Sequence, residues 1–311
     1  MFNNLKFEKM KLSKFNFRNT VVVTLMTTAI MLTSVACSED EEPIIENPIE
    51  TVDIVETAIA GNPDEFNTLV QAVVAADLVS TLKGDGPFTV FAPTDEAFAK
   101  LGIDIGMLSK EELTGILLYH VVAANVKSTD LENGFVQTAG GYSIEVNLDA
   151  GVKINTASVI QADVMATNGV IHVIDEVLMP PSEDIVDKAL SFNPGEFNTL
   201  VSAVVQADLV STLKSDGPFT VFAPTDAAFE ALGVDLTTLS KEDLTNILLY
   251  HVVPASVFSS DLSEGAVQTA NGSTINVSLD GGVKINESNV VIANVQTTNG
   301  VIHVIDKVLL P

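Results

Sequence analysis

The chain has 311 residues, 47% of them hydrophobic, and a formal charge of −26 at pH 7. That length suits about two domains of roughly 150 residues each, with enough apolar side chains to give each a core. Five of the 15 basic residues precede residue 20, so beyond residue 36 ten basic side chains stand against forty acidic ones. Such a surface repels phosphate backbones, which excludes nucleic acid as a partner.

Residues 1–36 read as an export signal. A basic stretch with Lys6, Lys9, Lys11, Lys14 and Arg18 leads into VVVTLMTTAIMLTSVA, from Val21 to Ala36. These sixteen residues fall short of the roughly 20 needed to span a bilayer and fit the apolar core of a signal peptide. The only cysteine, Cys37, closes the sequence TSVAC. This stretch resembles a bacterial lipoprotein signal, and the resemblance implies cleavage before Cys37 and lipidation of its thiol. Two acyl chains suffice for stable anchoring through burial of their methylenes. Residues 37–51 follow as a tether: SEDEEPIIENPIE is acidic and interrupted by Pro43 and Pro48, a composition that favours extended chain over a packed element. Acidic residues just after the cysteine also resemble the surface-export signals of some Gram-negative groups, which implies the external face of the outer membrane.

The remainder is one unit written twice. FNTLVQAVVAADLVSTLK at residue 66 returns as FNTLVSAVVQADLVSTLK at 197, GPFTVFAPTD at 86 returns at 217, and NGVIHVID at 168 returns at 299, always 131 positions later. A period this long, far above the 20 to 50 residues of solenoid repeats, makes each copy a whole domain with its own core. The domains span residues 52–180 and 183–311, and the short join at PPSE, Pro180 to Glu183, leaves little slack between them.

Within the first copy, Asn62 as N-cap, Pro63 at the first helical position and Glu65 three residues on predict a helix start. Phe66, Leu69, Val70, Val73 and Val74 then follow helical spacing. FTVFAP reads as a short strand ending at Pro93, after which Thr94 caps a helix over DEAFAKL. LSKEELTGILLYHVV carries Ser109 and Glu112 in capping-box register. Strand patterns follow in FVQTA, YSIEVNL, VKIN, SVIQADVMA and VIHVIDEVLMP, the last entered through Asn168-Gly169, a pair favoured in hairpin turns. Helices first and antiparallel strands second make an α+β domain.

Four histidines are the natural candidates for chemistry. His120 falls on the apolar stripe of Leu113, Ile116, Leu117 and Val121, and His251 falls on the matching stripe in the second copy. His172 and His303 lie inside VIHVID, a strand with apolar residues on both faces. All four therefore read as inward-facing core residues with hydrogen-bond partners. Two histidines per copy without a second cysteine make a poor zinc set, and no GxSxG, phosphate loop, dinucleotide fingerprint or EF-hand spacing occurs. No catalytic residue, metal ligand or cofactor is assigned, and nothing in the sequence requires an enzyme.

GPFTVFAPTDEAF (86–98), LLYHVV (117–122) and NGVIHVIDEVLMP (168–180), with their second-copy counterparts, resemble the fasciclin-type domain over all of the chain except the signal and tether. The resemblance implies two tandem domains, each an antiparallel, wedge-like β-sandwich flanked by α-helices. It also implies an extracellular adhesion or ligand-binding module without catalysis or cofactor. In animal matrix relatives the Tyr-His pair has been proposed to contact integrins; carried over, that proposal falls on Tyr119 and His120, and on Tyr250 and His251. The resulting expectation is a non-enzymatic, lipid-anchored surface protein whose partner is a matrix-like or cell-surface protein or a polysaccharide. The alternatives are a structural component that assembles through protein contacts, and a hydrolase using His120 or His251 with nearby carboxylates.

Overall fold

The computed structural model describes residues 52–61, 65–191, 195–234 and 236–311. The signal, Cys37, the tether, and the Asn62-Pro63 helix start lie outside the described residues. The first copy contains α1 (Ile54–Gly61), α2 (Asn67–Ala75), α3 (Val79–Leu82), β1 (Phe88–Pro93), α4 (Asp95–Leu101), α5 (Lys110–Tyr119), β2 (Val121–Val122), β3 (Gly134–Gln137), β4 (Ser143–Asn147), β5 (Lys153–Ile154), β6 (Ala157–Ala166) and β7 (Gly169–Ile174). The second copy repeats this order as α6 (Ile185–Ser191), α7 (Asn198–Gln206), α8 (Val210–Leu213), β8 (Phe219–Pro224), α9 (Asp226–Leu232), α10 (Lys241–Tyr250), β9 (Val252–Val253), β10 (Gly265–Gln268), β11 (Thr274–Ser278), β12 (Lys284–Ile285), β13 (Ser288–Thr297) and β14 (Gly300–Ile305).

Local chemistry sets most helix starts. The Thr94 hydroxyl accepts from the Ala97 N–H at 3.1 Å, and Ser109 and Glu112 form the reciprocal capping box at the head of α5. Helix α2 is different: it begins at Asn67, and its free N–H groups at Asn67 and Thr68 donate to the Asp95 carboxylate at 3.2 and 2.7 Å. A cap supplied by the first residue of α4, beyond α3 and β1, has no local sequence signature. Phe66, Leu69 and Val73 turn inward as their spacing predicts, but Val74 is 61% exposed.

Among the described residues each copy has one seven-stranded sheet, ordered β2-β1-β7-β6-β5-β4-β3 in the first. Its pairs are antiparallel except β1 and β7, which run parallel from Phe88 opposite Gly169 to Pro93 opposite Ile174. This departs from the wholly antiparallel expectation: the chain leaves β1 through helices and returns much later, as a parallel pair requires. Both strands are buried on both faces, as parallel strands usually are. Val90, Ala92, Ile171 and Val173 join the helices in one core. Phe91 and Ile174, on the opposite face, cluster with Ile144, Val146 and Ile154 from β4 and β5.

The second core exists because the sheet folds over itself. Pairing of β6 with β7 slips between Val159 and Gln161 and again before Val164, with Asp163 at φ 59°. Bulges of this kind bend a strand, so one sheet forms both layers of the sandwich. At the β6–β7 turn, a Cβ on Gly169 would lie 1.9 Å from the Phe88 carbonyl oxygen, so only glycine allows the strands to pair here. Its neighbour Asn168 is buried; its amide oxygen accepts from the Ile54 N–H at 2.9 Å, and its amide nitrogen donates to the Leu82 and Gly84 carbonyls, each at 2.8 Å. The hairpin turn therefore also fastens α1 and α3. Among the described residues no helix is long and apolar enough to cross a membrane.

Candidate functional site: the Tyr-His cores and the contact between domains

His120 caps the C-terminus of α5 and is 2% exposed. Its Nδ1 lies 2.8 Å from the Ile116 carbonyl oxygen, and the Leu178 N–H donates to Nε2 at 2.9 Å. A carbonyl can only accept and an amide can only donate, so the ring is the neutral Nδ1–H tautomer with both nitrogens committed. His251 repeats the arrangement with Ile247 and Leu309 at 2.8 and 2.9 Å. Burial drives both imidazoles down to about 4, against a smaller upward pull from the carbonyl each one meets.

Tyr119, the last residue of α5, is buried beside it. Its hydroxyl donates to the Ser143 carbonyl at 2.9 Å and accepts from the Asn155 amide at 3.1 Å, and burial pushes its pKa up. Tyr250 makes the same bonds to Thr274 and Asn286 at 2.9 and 3.1 Å. The Tyr-His dipeptide thus spans the fold: tyrosine pins α5 to the β4–β5 layer, and histidine pins it to the segment after β7. Neither side chain is offered to solvent.

The other histidines follow the same rule on the sheet. His172 stacks on Phe91, receives the Asp163 N–H at 3.3 Å on Nδ1 and donates from Nε2 to the Val126 carbonyl at 2.9 Å. His303 does so with Phe222, Asn294 and Val257, and burial holds its basicity down. No buried side-chain nitrogen or oxygen among the described residues lacks a partner. Nor do three His, Cys, Asp or Glu side chains there gather closely enough to hold a metal ion.

The structure adds a site that the sequence reading passes over. Phe135 and Phe258, one from each domain, stack with ring centroids 4.1 Å apart and planes 9° from parallel. At the corresponding positions of the other copy stand Ala266 and Lys127. The two residues that meet across the join are therefore both departures from the repeat, a signal visible only when the copies are compared for their differences. Beside the stack lies a cleft of about 510 Å³, walled by Gln137, Tyr142 and Ser143 from the first domain and Asp216, Asp261 and Thr298 from the second.

Comparison with known proteins agrees with this architecture. The Fasciclin domain family model matches residues 64–180 and again 195–311. The chain belongs to the fasciclin-domain family. Protein sll1483 of Synechocystis sp. is 50% identical over 134 residues, covering 41% of this chain and 73% of that protein. Transforming growth factor-beta-induced protein ig-h3 of Sus scrofa is 31% identical over 246 residues, and periostin of Homo sapiens 30% over 253, covering 74% and 78% of this chain. The chain spans only 35% and 30% of the length of those two animal relatives. Among solved structures, the FAS1 domain pair from the insect cell adhesion molecule Fasciclin I covers 80% of this chain and 98% of its own length, at 22% identity and a TM-score of 0.39. The Tyr-His pairs described above are thus features of two tandem fasciclin domains within one chain.

Proposed function

We propose that the chain is an exported, lipid-anchored surface protein whose fasciclin pair binds a matrix-like protein, another surface protein or a polysaccharide, without catalysis. The observation that carries this reading is a duplicated fasciclin domain, and it is supported by residues 1–36, which read as an export signal, followed directly by Cys37. The inward-facing histidines support it from the other side: a hydrolytic base must reach its substrate, and each ring nitrogen of His120 and His251 is already bonded within the core. In this reading the Tyr-His pairs hold α5 and α10 in place, and contact with a partner falls to exposed surface, including the cleft beside the Phe135–Phe258 stack.

Two experiments test it. Cys37→Ser should abolish incorporation of labelled palmitate and remove the protein from the outer-membrane fraction; unchanged fractionation would sink the anchor. The chain from residue 38 to 311, offered to arrays of matrix proteins, glycans and envelope fractions, should show saturable binding to at least one. Silence across the arrays together with concentration-dependent sedimentation would replace adhesion with self-assembly.

A further inference from the structure

Each domain holds an apolar recess between its first three helices and the helix-facing side of its sheet. In the first domain it measures about 180 Å³ and is walled by residues such as Ile54, Ala58, Val70, Val73, Leu82 and Val90. In the second domain the equivalent space is about 40 Å³. Among the residues lining the larger recess, only Ile59 has a different counterpart, Leu190. One set of side chains therefore encloses either volume, and the open form is not forced by a missing group. The mouth is marked by Ile59 and Val74, 49% and 61% exposed, apolar side chains at the entrance to an apolar space.

Water has little to hold it there. A buried water needs two to four polar partners. The polar side chain in the inner wall is His120, and both its ring nitrogens are already bonded. A dry apolar space of this order takes up small hydrocarbons. Charge narrows the class further. At the rim Lys83 is shared between Asp53 and Glu56, at 3.5 and 2.7 Å, so the entrance carries one more acid than base. An anionic head group meets repulsion there, whereas a neutral molecule does not.

We propose that the recess of the first domain binds a neutral hydrocarbon ligand, a ring system or the end of an alkyl chain that enters past Ile59 and Val74. This inference stands apart from the adhesion reading, since the recess opens on the helical side and needs no surface partner.

The test uses the chain from residue 38 to 311, which contains both domains with their cores complete, in detergent-free buffer. N-phenyl-1-naphthylamine is the neutral probe, and 8-anilinonaphthalene-1-sulfonate presents the same ring frame with a negative charge. The neutral probe should bind saturably at one site per chain, and the sulfonate about tenfold more weakly or less, a difference of about 1.4 kcal/mol. Ala58→Leu, which fills the recess from α1, should weaken the neutral probe about tenfold, whereas Ala189→Leu in the second domain should leave it unchanged. The neutral probe should also raise the melting temperature of the unsubstituted chain, because it binds only the folded form; this readout does not depend on any variant folding. Absence of saturable binding, equal affinity for the two probes, or equal effects of the two leucine substitutions would overturn the proposal.

Discussion

The two domains are a comparison built into one chain. Their Tyr-His cores coincide bond for bond: both histidines meet a carbonyl at 2.8 Å and an amide at 2.9 Å, and both tyrosines donate at 2.9 Å. Even where a residue changes, the bond survives: Asp163 accepts from the Ser128 N–H at 2.8 Å, and Asn294 accepts from Ser259 at 2.7 Å. The join is the opposite case, because Phe135 and Phe258 have no aromatic counterparts at Ala266 and Lys127. Buried polar atoms tolerate no loss of a partner, so the cores stayed alike, and the surface where the copies meet was free to diverge.

The largest expected effect tests whether the domains are energetically separate. Gly169→Ala places a Cβ 1.9 Å from the Phe88 carbonyl, a backbone atom that moves only if β1 and β7 part. The cost should exceed about 3 kcal/mol, the upper end for an overpacked core, and remove the first domain's unfolding transition. A second-domain transition that persists in differential scanning calorimetry confirms independent folding; its loss would make the pair one cooperative unit.

Acid should act next most strongly, and on both domains. A histidine in unfolded chain titrates near 6.5, and His120 and His251 titrate at about 4 in the folded domains. Between those values the unfolded state binds more protons, so stability is complete above pH 6.5 and falls as pH drops toward 4. At about 1.4 kcal/mol per pH unit, each histidine accounts for about 3 kcal/mol over that window. His303, also held down by burial, steepens the slope in the second domain. Glu112 and Asp163 are held below the usual carboxylate range by hydrogen bonds from Ser109 and Ser128, so their stabilisation is lost only at lower pH. Urea denaturation at half-unit pH steps measures the slope, and a flat profile from pH 6.5 to 4.5 would refute the buried neutral histidines.

His120→Ala separates the copies again. It strands the Leu178 N–H and the Ile116 carbonyl and leaves a cavity, a loss of about 2 kcal/mol or more in the first domain alone. It should also flatten that domain's acid slope while the second keeps its own. A variant that melts like the unsubstituted chain but loses a binding partner would return His120 to the surface-contact role.

Much of this was legible from sequence because its causes are local. Thr94, Ser109 and Glu112 cap helices with groups three residues away, and the strand pattern of VIHVID marks burial on both faces. The inward reading of the histidines follows from the same periodicity. What stayed hidden depends on distant chain: Asp95 capping α2, the parallel register of β1 on β7, and Leu178 as the partner of a histidine 58 residues earlier. Val74 fits the helical stripe yet lies exposed, as does its counterpart Val205, so this edge of the helix stays uncovered in both copies.

The smallest expected effect falls on the join. Phe258→Lys installs the residue that the first copy carries at this position, and Phe135→Ala installs that of the second. Each removes one ring of the stacked pair, worth about 0.5 to 1.5 kcal/mol beyond its burial. Neither touches a Tyr-His core, so the midpoint of each domain should move by less than about 1 kcal/mol. The change should appear in how the domains move relative to each other, read from residual dipolar couplings or small-angle scattering of the pair. Because the two rings act on one another, the double variant should loosen the pair no more than either single one. Additive loosening would mean that each phenylalanine is held by its own domain, and that the short Pro180-Pro181 join sets the angle without the stack.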